Sequence, residues 1–116
     1  MSIEEVAAMR PATAENIEDK FASLSPEEKA SVISHGVALR LSEWKKRLFL
    51  AESKVRSFED KYHTSLAELD AKGLPDNAGH EMHEDYIMWH HWTEVVDRAG
   101  KQVSALQVIA TYGIQC

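Results

Sequence analysis

Cysteine is almost missing from this chain: among 116 residues the single one is Cys116, at the last position. One thiol cannot form an intrachain disulfide framework, so the fold must hold by packing, as in a reducing compartment. Three prolines and five glycines leave few places to turn, and none of the prolines falls between Pro26 and Pro75. Elements are therefore long. No apolar run approaches the ~20 residues that cross a bilayer, and Met1-Ser2-Ile3-Glu4-Glu5 carries acid where a secretory leader carries base. The expectation is a cytoplasmic protein without a membrane segment. Net charge is −6, which disfavours a general polyanion binder.

What the chain has is ordinary globular composition, 44% hydrophobic and 28% charged, arranged with helical periodicity. From Val37 the apolar positions fall at Leu41, Trp44, Leu48, Ala51, Val55, Phe58 and Tyr62, in alternating steps of four and three. That spacing keeps one seam on one side of a helix, as in a coiled coil. Ser25-Pro26-Glu27-Glu28 supplies a hydroxyl cap, a proline at the first helical position and a glutamate three residues after the cap. These signals predict one helix from Pro26 to about Tyr62, a rod of roughly 55 Å that tolerates Gly36.

Ser65 with Glu68 forms a second capping box and opens a short helix that Gly73 closes. Leu74-Pro75-Asp76-Asn77-Ala78-Gly79 is a turn cluster. A second long helix is expected from His80 to about Ala110, with Met82, Tyr86, Trp89, Trp92, Val96, Ala99, Val103, Leu106 and Ala110 as its seam. Two long helices joined by a short connector make an antiparallel hairpin. The fold class is all-α, with domain 25–116 as the hairpin and residues 1–24 as a flexible or partner-dependent arm. The first thirty residues hold seven acids against three bases. Within them Ile3–Met9 allows a turn or two of helix, and Ile17, Phe21 and Leu24 lie at helical spacing.

Two helices cannot bury everything they carry. Leu39, Phe49 and Leu50 lie off the first seam, and Ile87, Met88, Val95 and Ile109 flank the second. Pairing two hairpins into a dimeric four-helix bundle covers these residues; otherwise the face serves a second protein. The predicted interface is Leu39, Phe49, Leu50, Ile87, Met88 and Val95.

The charged residues divide by helix. Residues 40–56 hold six bases against Glu43 and Glu52, and residues 81–101 hold five acids against Arg98 and Lys101. Interhelical pairing in antiparallel register is the expected use, with Arg40, Arg47, Lys54 and Lys61 repeating every seven residues. The competing use is a nucleic-acid stripe at Arg40, Lys45, Lys46 and Arg47, weakened by the absence of interleaved aromatics. Four of the six histidines fall between His80 and His91. His80, His83, Glu84 and His91 are the candidate metal ligands, since imidazole and carboxylate suit zinc, iron or nickel. No Glu-x-x-His pair and no inward acid on the first helix completes such a set. Glu81-x-x-Glu84 and Glu94-x-x-Asp97 lie on one helix roughly 20 Å apart, too far to share a magnesium ion. Trp44, Trp89 and Trp92 occupy seam positions and are expected in the core with their indole N–H groups paired. No nucleophile has a base and an orienting group beside it, so the sequence calls for neither covalent catalysis nor a cofactor.

From Trp44 to Trp92 the chain resembles a set of small prokaryotic helical proteins. The likeness rests on Phe58-Glu59-Asp60-Lys61-Tyr62, Ser65-Leu66-Ala67-Glu68-Leu69, Leu74-Pro75-Asp76 and Glu81-x-His83-Glu84-Asp85-Tyr86-Ile87-x-Trp89. Such proteins are similar to partner, antitoxin-like subunits of toxin–antitoxin-type gene pairs. Met88 departs from the acid expected before the tryptophan. The resemblance implies a non-enzymatic interaction module, and it brings no catalytic residues. The metal-binding bundle is the alternative.

Overall fold

The computed structural model describes residues 14–113, all of whose regular structure is helical. The helices are α1 (Ala14–Ala22), α2 (Pro26–Tyr62), α3 (Leu66–Lys72) and α4 (His80–Tyr112). The predicted turns at Ile3–Met9 and the terminal Cys116 lie outside the described residues.

Local chemistry accounts for where the helices stop and start. The Ser25 hydroxyl accepts the Glu28 N–H at 3.1 Å, with Pro26 behind it, and so begins α2. The end of α2 falls at His63, which adopts the left-handed conformation (φ 54°) and donates its N–H to the Glu59 carbonyl at 2.8 Å. A non-glycine residue rarely takes this conformation, but it is the geometry that closes a helix. Ser65 caps α3 by accepting from Glu68 N–H at 3.1 Å, while the Glu68 carboxylate accepts from the Thr64 hydroxyl at 2.9 Å. Gly73, at φ 79°, ends α3.

The two long helices pack against each other as a hairpin, and theirs is the only extensive helix pairing among the described residues. Every seam position predicted for α2 is buried or half-buried, and so is every one on α4 except Ala110. Ala110 lies in the last turn of α4 and is exposed. A cleft of about 340 Å³ separates Ile33 and Val37 on α2 from Ile109 and Ala110 on α4.

The core is concentrated at the opposite, connector end. Leu66 and Leu69 of α3 close over Trp89, with Val55, Phe58, Tyr62, Leu74, Met82 and Tyr86 packed around them. Trp89 is fully buried, with its ring stacked on Phe58 at 5.7 Å and on Tyr62 at 6.0 Å between centroids. Its indole N–H, expected to be paired, has no acceptor among the protein atoms. Farther along, Ala51 and Ala99 are the only fully buried apolar residues among those described, and their small side chains let α2 and α4 approach. The result is a rod with a radius of gyration of 22.6 Å and extents of 71 × 37 × 19 Å. A compact chain of this length would have a radius near ~13 Å.

α1 forms at the spacing the sequence suggested for Ile17 and Phe21, but both side chains remain exposed. Only Leu24, in the link to α2, is half-buried.

Candidate interaction surface

Packing α2 on α4 consumes one stripe of each helix and leaves the other apolar positions outside. Leu39 is 62% exposed, Phe49 70%, Leu50 48% and Ile87 66%. Met88 is also exposed, and of the six predicted interface residues only Val95 is half-buried. Val32, Val108, Ile109 and Tyr112 add to the uncovered set toward the open end. Phe49 also forms one wall of a groove of about 590 Å³ with Leu41, Lys45, Lys46 and Ala110.

Among the described residues the charge pattern pairs across the hairpin only at the connector end. Lys61 Nζ donates to Glu81 Oε1 at 2.7 Å and to Asp85 Oδ2 at 2.6 Å, and Tyr62 OH donates to the same Asp85 oxygen at 2.6 Å. The Asp85 and Glu81 hydrogen bonds hold the Lys61 ammonium well above the ordinary lysine range. In return Lys61 first, and Tyr62 second, hold Asp85 below the usual carboxylate value. Burial and the Asp85 hydrogen bond raise the Tyr62 phenol. The expected interhelical pairing of Arg40, Arg47 and Lys54 does not form. Arg40 turns to Glu43 on its own helix at 2.7 Å, and Arg40 and Arg47 lie over the Trp44 ring at 5.7 and 4.6 Å. On α4 Asp97 pairs along its own helix with Lys101 at 3.1 Å.

A second polar cluster ties α3 to α4 and was not legible in the sequence. Asp70 accepts hydrogen bonds from Tyr86 OH and from His90 Nε2, the latter at 2.9 Å, and the Tyr86 and His90 rings meet edge to face. Tyr86 first, then His90, lowers the Asp70 pKa, while Asp70 raises that of Tyr86. Asp70 and His90 lie on different helices with no local motif between them. The only advance signal was Tyr86 and His90 at i,i+4 on α4.

The candidate metal ligands lie apart from this cluster. His80 Nε2 meets Glu84 Oε1 at 3.0 Å on the exposed first turns of α4. His83 and His91 are exposed, and the His91 ring lies edge-on to Trp92 at 5.1 Å. Among the described residues no three His, Cys, Asp or Glu side chains form a group that could hold a metal ion. For the nucleic-acid candidates, Arg40 and Arg47 are engaged with Trp44, and Lys45 and Lys46 flank the Phe49 groove. No helix among the described residues is long and apolar enough to cross a membrane.

The fold and surface define a two-helix hairpin with a lightly filled core and an uncovered apolar exterior. Comparisons with protein-family models, curated proteins and solved structures return no match.

Proposed function

We propose that this protein is a non-enzymatic helical interaction module that dimerises through the exposed faces of its long helices and, antitoxin fashion, neutralises or scaffolds a protein partner. One observation carries the reading: the chain exposes far more surface than a self-sufficient domain of its mass. Its accessible area is 8973 Å², whereas a folded monomer of 13.1 kDa exposes roughly 6,400 Å². The excess, on the order of 2,500 Å², exceeds the ~800 Å² that each partner contributes to a stable interface. Leu39, Phe49, Leu50 and Ile87 are among the large apolar side chains left exposed, and contiguous exposed apolar surface beyond a few hundred Å² marks interaction sites. The link to toxin–antitoxin partner subunits rests on the motifs between Trp44 and Trp92.

Sedimentation equilibrium from ~1 to ~100 µM chain tests the self-association. The reading requires a species of twice 13.1 kDa that loses its stability when Leu39 and Leu50 are both changed to Asp. A monomer over the whole range ends it.

A further inference from the structure

The outer side of α2 carries a second row of residues with the same alternating step as the seam. It runs from Val32 to Ser57, and all its members are exposed except half-buried Glu43. At the row's centre stand Leu39, Glu43, Lys46 and Leu50, a sequence of apolar, acidic, basic and apolar positions that is complementary to its own reverse. We propose that a second copy of this chain docks along this row, α2 against α2 and antiparallel, with the two-fold axis passing between Trp44 and Lys45. The proposal rests on the dimeric reading above and assigns it a face, an orientation and a register.

In this arrangement Leu39 packs on the partner's Leu50, and Glu43 meets the partner's Lys46. The symmetry repeats each contact, so one register makes two leucine layers and two ion pairs. Antiparallel coiled helices set their layers in this way, and charged pairs fix orientation. A parallel arrangement places Glu43 on Glu43 and Lys46 on Lys46. Sliding the antiparallel pair by one heptad sets Leu39 against the partner's Glu43, or Lys46 against the partner's Leu50. No other register satisfies both the leucines and the charges.

Gly36 is a second, independent observation. It sits inside α2 without a positive φ, and a Cβ built on it meets nothing within 4 Å. A mid-helix glycine costs stability relative to alanine, and nothing in this chain requires one here. In the proposed register Gly36 faces the partner's Ser53, a layer of small residues where backbones approach closely. The basic residues flanking the row, Arg40 and Arg47, are drawn over their own Trp44. Arg40 also holds Glu43 at 2.7 Å on its own helix, so in the dimer the partner's Lys46 joins Arg40 on that carboxylate, and Glu43 and Lys46 remain the row's own charges at the centre.

Complementary charge variants test the assignment. Glu43→Lys and Lys46→Glu each place like charges in both central layers, and each should weaken dimerisation about ten-fold or more. An equimolar mixture restores both ion pairs and should form the heterodimer with near wild-type affinity. Helicity at 222 nm should be unchanged, since neither residue belongs to the seam. Orientation is read by crosslinking in a Cys116→Ser background. Under a glutathione redox buffer Leu39→Cys mixed with Leu50→Cys should form a disulfide-linked heterodimer, and neither should link efficiently to itself. Self-linked Leu39→Cys, or charge variants that dimerise like wild type, would overturn this register while leaving the dimer standing. A wild-type chain monomeric at all concentrations would instead remove the dimeric reading itself.

Discussion

Trp89 holds more of this structure than any other residue, and replacing it tests where the core lies. The residue is fully buried and stacked on both Phe58 and Tyr62. Burying a tryptophan removes on the order of 200 Å² from water, an upper bound of roughly 5 kcal/mol at 25 cal/mol per Å². Large-to-small aromatic substitutions cost ~3–5 kcal/mol, so Trp89→Ala should cost about 4 kcal/mol. A domain of this length has ~6 kcal/mol or more to lose, so the variant should be close to unfolding. Trp89→Phe behaves differently. It keeps a stacked ring and discards the buried N–H that has no acceptor, a group whose unpaired burial costs ~1–3 kcal/mol. The two effects nearly cancel, and the net change should stay within about 1 kcal/mol. Urea unfolding followed by circular dichroism at 222 nm measures both, at several chain concentrations, because association adds to apparent stability. A cost below ~1 kcal/mol for Trp89→Ala, or equal costs for the two variants, would refute a core centred on the α3–α4 contact.

Other consequences follow from the same geometry. Leu48→Ala, within the half-buried α2 seam, should cost on the order of 2–5 kcal/mol; a change under ~0.5 kcal/mol would mean the seam does not face α4. Phe49→Ala, on the outer surface, should leave monomer unfolding within about 0.5 kcal/mol of wild type while weakening self-association. For pH, Asp85 and Asp70 have lowered folded pKa values, so their stabilisation is present above ~pH 4 and is lost as pH falls through the folded values. Lys61, Tyr62 and Tyr86 are raised, so theirs is present below ~pH 10 and is lost as pH rises through the folded values. Stability measured by urea midpoint should fall at both limits. Asp85→Asn should flatten part of the acid limb and cost about 1 kcal/mol at pH 7, the charge-assisted bonds being discounted for partial exposure. An unchanged acid limb in that variant would show that the Lys61–Asp85–Tyr62 contact contributes nothing. Ser65→Ala should cost ~1 kcal/mol, seen as early unfolding of the connector, because it removes the only side-chain cap of α3.

The sequence determined the helices well because their signals are local. Ser25-Pro26, Ser65-x-x-Glu68 and Gly73 fix termini through hydrogen bonds a few residues away, and the structure uses each of them. The seams were legible because period alone separates the facing stripe from the rest. Ala110 failed for a reason that period cannot encode: it lies in the last turn of α4, where the periodic stripe continues but the packing against α2 does not cover it. Charge pairing was only partly legible for a similar reason. Lys61 finds Glu81 and Asp85 because the connector holds the helices together there, whereas Arg40 and Arg47 have a nearer aromatic partner in Trp44. Asp70 with Tyr86 and His90 is a contact between elements that the turn at Leu74–Gly79 brings together, and no spacing announces it.

These observations define a molecule whose cohesion runs downhill along its axis. At the connector end three helices enclose Trp89, and two polar clusters bolt α2 to α4 and α3 to α4 around it. At midlength only Ala51 and Ala99 are sealed, and alanines contribute little apolar area. By Ile109 and Ala110 a cleft of about 340 Å³ lies along the two helices. Isolated helices this far from a core are marginal in water, since most helical stability comes from tertiary packing of an apolar face. Yet α2 and α4 continue regularly for several turns beyond the last well-buried residues, with Leu39 and Val108 exposed on them. An uncovered apolar stripe on a regular helix is an unfinished contact. The connector end therefore explains how this chain folds, and the open half is where the energetic case for a partner is strongest.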